Sequence, residues 1–130
     1  MKVLRGHHVS FAVRDLAASR RFYGELLGFG EIPRPELGVP GTWYQVGDTE
    51  VHLIQTPAGV ETGAPPPKLS PLANHAAFQI DDYEAAVSAL RARGLEVLET
   101  SGAMGQLWVR DPDGNVIELI KPRGAREARG

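Results

Sequence analysis

The chain has 130 residues, 42% hydrophobic and 23% charged, which fits one modest soluble domain or two very small units sharing a core. A net charge of -2 gives no bulk attraction for nucleic acid or an anionic membrane, and no apolar run nears the roughly 20 residues that cross a bilayer. Without cysteine there is neither a disulfide framework nor a thiolate metal site, and Met1 to Gly6 has no apolar signal core, so the expected location is cytoplasmic.

The first element is an alternating run, His7 to Val13. Val9, Phe11 and Val13 share one face; His8, Ser10 and Ala12 share the other, the period of a half-buried strand. Asp15 then stands where an N-cap accepts the first free backbone N–H groups of a helix. Leu16, Tyr23 and Leu27 mark that helix's stripe, widened by Phe22 and Leu26. Gly28 follows at the position where helices stop. A weakly marked strand lies around Glu31 and Ile32. Thr42 to Val46 and Glu50 to Gln55 read as two more strands joined by Gly47-Asp48-Thr49.

Thr56 to Leu72 holds five prolines and two glycines, a composition that excludes a helix or a central strand. It reads as a linker or as a lid or dimer-wrapping arm. The whole pattern then repeats. His75 to Ile80 alternates, with Ala76, Phe78 and Ile80 opposite His75, Ala77 and Gln79. Asp81 or Asp82 caps a helix whose Tyr83, Ala86, Val87 and Leu90 fall at i, i+3, i+4 and i+7. Gly94 ends it. Strands are expected over Leu95 to Glu99, Gln106 to Arg110 and Asn115 to Lys121, the last two joined by the turn Asp111-Pro112-Asp113-Gly114. An offset of 67 residues carries Leu16 onto Tyr83 and Tyr23 onto Leu90. The fold class is therefore α+β, with two tandem βαβββ modules. Module one covers about 5–56, the linker about 57–72, module two about 73–122, and a polar tail runs from Arg123 to Gly130.

The repeat also carries chemistry. His8 to His75 is 67 residues and His52 to Glu118 is 66. Each half thus offers two possible metal ligands, 44 residues apart in the first and 43 in the second. Strand parity sets His52 opposite Val51 and Leu53, and Glu118 opposite Ile117 and Leu119. A carboxylate inside an apolar run avoids burial unless it is paired or coordinated. Imidazole and carboxylate donors suit one divalent ion of zinc, nickel, cobalt, manganese or ferrous iron. His7 has the wrong parity and reads as structural or surface. Parity also places Gln106, Trp108 and Arg110 together, and Gln79 with His75. Gln79, Trp108 and Arg110 are therefore candidate substrate-pocket residues.

At these residues the chain resembles the vicinal-oxygen-chelate superfamily, which includes glyoxalase I, methylmalonyl-CoA epimerase, extradiol dioxygenases and fosfomycin-resistance transferases. The resemblance rests on His8-Val9-Ser10-Phe11-Ala12-Val13-Arg14-Asp15-Leu16 and Phe22-Tyr23-Gly24-Glu25-Leu26-Leu27-Gly28-Phe29. Asn74-His75-Ala76-Ala77-Phe78 and Asp111-Pro112-Asp113-Gly114-Asn115-Val116-Ile117-Glu118-Leu119 complete it. It implies paired βαβββ modules whose concave mixed sheet cups one divalent metal, a homodimer, and a small-molecule substrate with chelating oxygens. His8, His75 and Glu118 match the first, third and fourth ligand positions. His52 stands at the more variable second position, where bacterial glyoxalase I has Glu and epimerases tend to have Gln. A second carboxylate base is thus absent there.

The activity this implies is glyoxalase-like lyase or isomerase chemistry through a metal-stabilised enolate, with Glu118 or metal-bound hydroxide as base. One alternative is an extradiol-type ferrous dioxygenase, since His8, His75 and Glu118 form a two-His-one-carboxylate set. The other is a metal-independent binding or drug-sequestering protein with a groove lined by Trp43, Tyr44 and Trp108.

Overall fold

A computed structural model describes residues 1–100 and 103–124. The chain divides into two compact units, Met1–Gly63 and Ala64–Gly130. Each contains one copy of the βαβββ pattern. The part of the expected tail at 125–130 lies outside the described residues. Among the described residues no helix is long and apolar enough to cross a membrane.

In the first unit β1 (His8–Val13) leads into α1 (Leu16–Arg20). Asp15 caps α1 by accepting from the Ala18 N–H at 3.2 Å. The regular helix stops earlier than the Leu16–Tyr23–Leu27 stripe suggests. Arg21–Leu26 is a π-helical turn, with Leu27 N–H donating to Phe22 O at 2.9 Å. Its wider winding lets the adjacent Phe22 and Tyr23 both face inward, which 100° spacing does poorly. Gly28 ends the element at φ +74°, a conformation glycine adopts without penalty.

The chain continues through β2 (Gly30–Ile32), β3 (Gly41–Val46) and β4 (Thr49–Gln55). The sheet order is β1-β4-β3-β2. β1 and β4 are parallel and the other pairs antiparallel. Val13, Phe22, Tyr23, Tyr44, Val51 and Leu53 form the buried core. Tyr23 is its centre, with Phe22, Phe11 and Phe29 ring centroids at 4.9, 5.6 and 5.8 Å.

The second unit holds β5 (His75–Gln79), α2 (Tyr83–Ala92), β6 (Leu98–Glu99), β7 (Gln106–Arg110) and β8 (Val116–Ile120). Their sheet order, β5-β8-β7-β6, repeats that of the first unit. Asp82 is the cap of α2, accepting from Ala85 N–H at 3.0 Å, while Asp81 accepts from Asp82 N–H. β6 is shorter than the expected Leu95 to Glu99. The Gly94 and Leu95 N–H groups are spent on Arg91 O and Leu90 O at the helix end, so pairing starts only at Leu98. Phe78, Leu107, Val109, Ile117 and Leu119 are buried, as are Tyr83 and Leu90 of α2. The Asp111 carboxylate closes the β7–β8 turn, accepting from Asp113 N–H, Asn115 N–H and the Asn115 amide.

The last part of the Pro-rich segment packs onto the second unit. Leu69 is buried against Trp108 and Val116, with Ala73 beside them. Arg110 Nη1 donates to Pro67 O at 3.4 Å.

Tyr83 ties α2 to the sheet, with its hydroxyl 2.8 Å from Glu99 Oε1 and 3.0 Å from Gln106 O. Burial, then the hydrogen bond to Glu99 and its charge, push the phenol up to about 12. A folded-state value above the unfolded one favours folding fully below pH 10, and this contribution is lost as pH rises towards 12. Tyr83→Phe is therefore expected to cost about 1 kcal/mol at neutral pH. It should also shallow the fall in stability between pH 10 and 12, read by urea unfolding at several pH values. An unchanged alkaline slope would contradict this role.

Candidate functional site

In each unit the parallel strand pair brings two of the expected ligands together. His52 on β4 lies between two neighbours. Its ring stacks on His8 of β1 at 4.1 Å with planes 16° apart, and on Trp43 of β3 at 4.3 Å and 9°. The order β1-β4-β3 places β4 centrally, so the imidazole is sandwiched and its plane is held. His52 is buried and His8 exposed.

His52 Nε2 lies 2.9 Å from Glu50 Oε1. An ionised carboxylate only accepts, so Nε2 carries a proton towards Glu50. The hydrogen bond from His52 is the main cause that holds the Glu50 carboxyl below its ordinary range, against a smaller opposing effect of desolvation. Glu50 is a site residue missed from the sequence. Its signal was parity: two places before His52 on one strand, it shares the face of that ring. The carboxylate absent at position 52 stands at position 50.

His7 is exposed, as its parity suggested, with Nδ1 2.9 Å from His8 Nδ1. Tyr44 is the correction in the aromatic set. Alternation puts it on the face opposite Trp43, where its hydroxyl lies close enough to Gly24 that a Cβ there would stand 3.1 Å away. Tyr44 therefore cannot line a groove with Trp43.

In the second unit His75 of β5 meets Glu118 of β8. His75 Nε2 is 3.0 Å from Glu118 Oε1, and His75 Nδ1 is 2.7 Å from Ala73 O. A backbone carbonyl only accepts, so Nδ1 carries a proton. The Nε2 lone pair would then face a carboxylate oxygen, two acceptors in contact. Something positive, a proton or a cation, must lie between them. A proton there makes the pair an ion pair; a divalent cation would suit the same donors, since a carbonyl that holds Nδ1 aims Nε2 at the carboxylate. Glu118 is only 7% exposed, and its Oε2 accepts from Gln106 Nε2 at 3.2 Å. The residues present thus fit a metal on chemical grounds. Among the described residues, however, no three His, Asp or Glu side chains gather closely enough to hold a metal ion by themselves.

The proposed pocket residues differ in their surroundings. Trp108 opposes Glu118 across the β7–β8 ladder and meets the His75 ring edge-on at 6.5 Å. It is buried under Leu69, and its indole N–H has no acceptor among the described residues. Arg110 is engaged with Pro67 O and Glu96, each at 3.4 Å. Gln79 is exposed at the end of β5, on the face of His75. The two tryptophans extend the repeat: Trp43 opposes His52 as Trp108 opposes Glu118.

Comparison with known proteins agrees with this geometry. The family model described as Glyoxalase/Bleomycin resistance protein/Dioxygenase superfamily matches residues 5–119. Glyoxylase I 4 of Arabidopsis thaliana is 33% identical over 121 residues, covering 87% of this chain and 68% of the plant protein. Mitochondrial methylmalonyl-CoA epimerase of Bos taurus is 30% identical over 115 residues, with 78% of this chain and 61% of the epimerase covered. The crystal structure of a glyoxalase/dioxygenase from Nostoc punctiforme superposes with a TM-score of 0.74 at 25% identity, covering 93% of this chain and 97% of that one. Since the family match runs from before His8 to just beyond Glu118 and takes in both βαβββ units, the chain belongs to the glyoxalase/bleomycin resistance protein/dioxygenase, or vicinal-oxygen-chelate, superfamily.

Proposed function

We propose that this protein is a divalent-metal-dependent lyase or isomerase acting beside a carbonyl of a small substrate with two chelating oxygens. The observation that carries this reading is the His75–Glu118 contact, with His75 Nδ1 anchored on Ala73 O. In this reading His75 and Glu118 are the candidate ligands of the second unit, and His8 and His52 those of the first. When bound, a divalent ion polarises the chelated carbonyl and stabilises negative charge that develops on its oxygen. The chain's own residues do the rest. Glu118 would take and return a proton at the carbon beside the carbonyl, through Oε1 or Oε2. Gln106 holds Oε2, and Ala73 holds the His75 ring, so the carboxylate and imidazole are oriented before substrate arrives. The names glyoxylase I and methylmalonyl-CoA epimerase among the relatives support a lyase or isomerase class. Homodimeric assembly is part of the same reading, checked by light scattering.

The test is metal analysis of protein purified without added metal or chelator. Nickel, cobalt or zinc near one equivalent is the expected result. Iron would instead favour the dioxygenase alternative, and no metal with intact ligand binding would favour a sequestering protein. Glu50 bears on the same question. As the residue that fixes the His52 tautomer, it should matter to affinity without being a ligand. Glu50→Gln is expected to weaken nickel binding by about 10–100-fold in calorimetric titration. Equal affinity in the variant would remove Glu50 from the site.

A further inference from the structure

Arg34 lies between Pro33 and Pro35, just past the end of β2. Proline fixes its own φ and pushes the preceding residue towards extended backbone, so Pro35 holds Arg34 extended and Pro33 stiffens the approach to it. The β2–β3 register pairs Gly30 with Gln45 and Ile32 with Trp43. Continued by two residues, it sets Arg34 opposite Gly41, on the face of Trp43. The side-chain contacts agree. A Cβ on Gly41 would stand 2.8 Å from both Nε and Cζ of Arg34, and 2.5 Å from Leu53 O. The guanidinium thus lies directly over Gly41, in space that only a glycine leaves.

That face is the one carrying His52. Gly41 pairs with Ile54, two residues along β4 from His52, roughly 7 Å at a strand rise of about 3.3 Å per residue. Glu50 lies two residues in the other direction. The face therefore runs from an acid, through the His52–Trp43 stack, to a guanidinium. Arg34 Nε is buried and has no acceptor among the described residues, and no salt bridge to Arg34 occurs among them. Arg34 as a whole is only half-buried, so the outer edge of its guanidinium stays open to an anion from outside the chain while the inner Nε donor has no partner among the described residues. Guanidinium presents a planar fork that matches carboxylate or phosphate oxygens in pairs.

We infer that Arg34 is an anion-recognition residue of the active face, binding a carboxylate or phosphate group of the substrate some distance from its chelating oxygens. This deepens the metal-dependent reading by naming a substrate class, and it rests on that reading for the role of His52. The substrate would be an anion with its charged group several bonds from the oxygen pair. Gly41 is the residue that makes room for it.

The experiment uses the full-length, metal-free, 15N-labelled protein and follows the Arg34 Nε–H resonance, identified by its loss in Arg34→Gln. Sodium malonate, sodium phosphate and neutral malonamide are titrated at constant ionic strength. Malonate or phosphate should shift the resonance saturably while malonamide does not, and the preferred anion tells carboxylate from phosphate. In Arg34→Gln the Gly41 amide should report affinity at least about tenfold weaker. Arg34→Lys, which keeps the charge without the fork, should recover part of it. No saturable shift, an equal response to malonamide, or unchanged affinity in Arg34→Gln overturns the inference. Nickel affinity measured on the same samples separates the two ideas. Anion binding without nickel binding sinks the metal reading alone; nickel binding without anion binding sinks the Arg34 site alone.

Discussion

Glu118→Gln should lower proton exchange at the carbon beside the substrate carbonyl by about 10²- to 10⁴-fold, the usual contribution of a positioned base. Glutamine keeps the size and the hydrogen-bonding reach of glutamate but removes its charge and basicity. The fold should survive, because the position is surrounded by polar partners: Gln106 on one oxygen and His75 on the other. Deuterium incorporation from solvent, followed by proton NMR, separates the base from the rest of the site. A variant that exchanges at the wild-type rate while still binding metal would end the assignment of Glu118 as base. A variant that binds no metal would instead show Glu118 acting chiefly as ligand, and exchange measured at saturating metal distinguishes the cases.

Tyr23→Ala is the substitution expected to cost most in stability, about 3–5 kcal/mol. Tyr23 is fully buried and touches three aromatic rings, so its loss leaves a hole that the π-helical turn cannot collapse into. A domain of ordinary stability has about 5–15 kcal/mol in total, so the first unit should be close to unfolding at 37 °C. The measurement is the urea midpoint. A loss below about 1 kcal/mol would mean that Phe11, Phe22 and Phe29 repack without Tyr23. The effect should fall on unit one. His75 and Glu118 belong to the second unit, so NMR signals from β5 and β8 report whether it stays local.

That His8 meets His52 and His75 meets Glu118 was legible because two signals coincided, strand parity and a repeat of 66–67 residues. Either alone is weak; a histidine on a strand is common. Glu50 and Arg34 carried no repeat. The position matching Glu50 in the second unit is Val116, opposite His75 as Glu50 is opposite His8. Arg34 sits in Pro33-Arg34-Pro35, which reads as loop, and only the register of β2 onto β3 places it on a face. The strand itself is three residues long, too short for alternation to show. The π-helical turn was hidden for a different reason. Tyr23 and Leu27 fit a regular stripe, so Phe22 reads as mere widening of it, and the wider winding leaves no compositional mark. Tyr44 shows the converse. Its neighbour Trp43 suggested a shared groove, yet residues adjacent on a strand must face apart.

The parallel pairings β1–β4 and β5–β8 also govern when the ligand pairs come into being. The hairpins β3–β4 and β7–β8 join strands across short turns, and such loops close first and cheaply. His52 and Glu118 ride on those hairpins, while His8 and His75 arrive only when a strand some forty residues upstream docks beside them. Each ligand pair is therefore completed by the longest-range closure of its unit. Any ion that binds such a pair favours the closed unit over every partly folded form, in proportion to its affinity. With an ion bound there, the docked outer strand would be a latch that the ion holds shut.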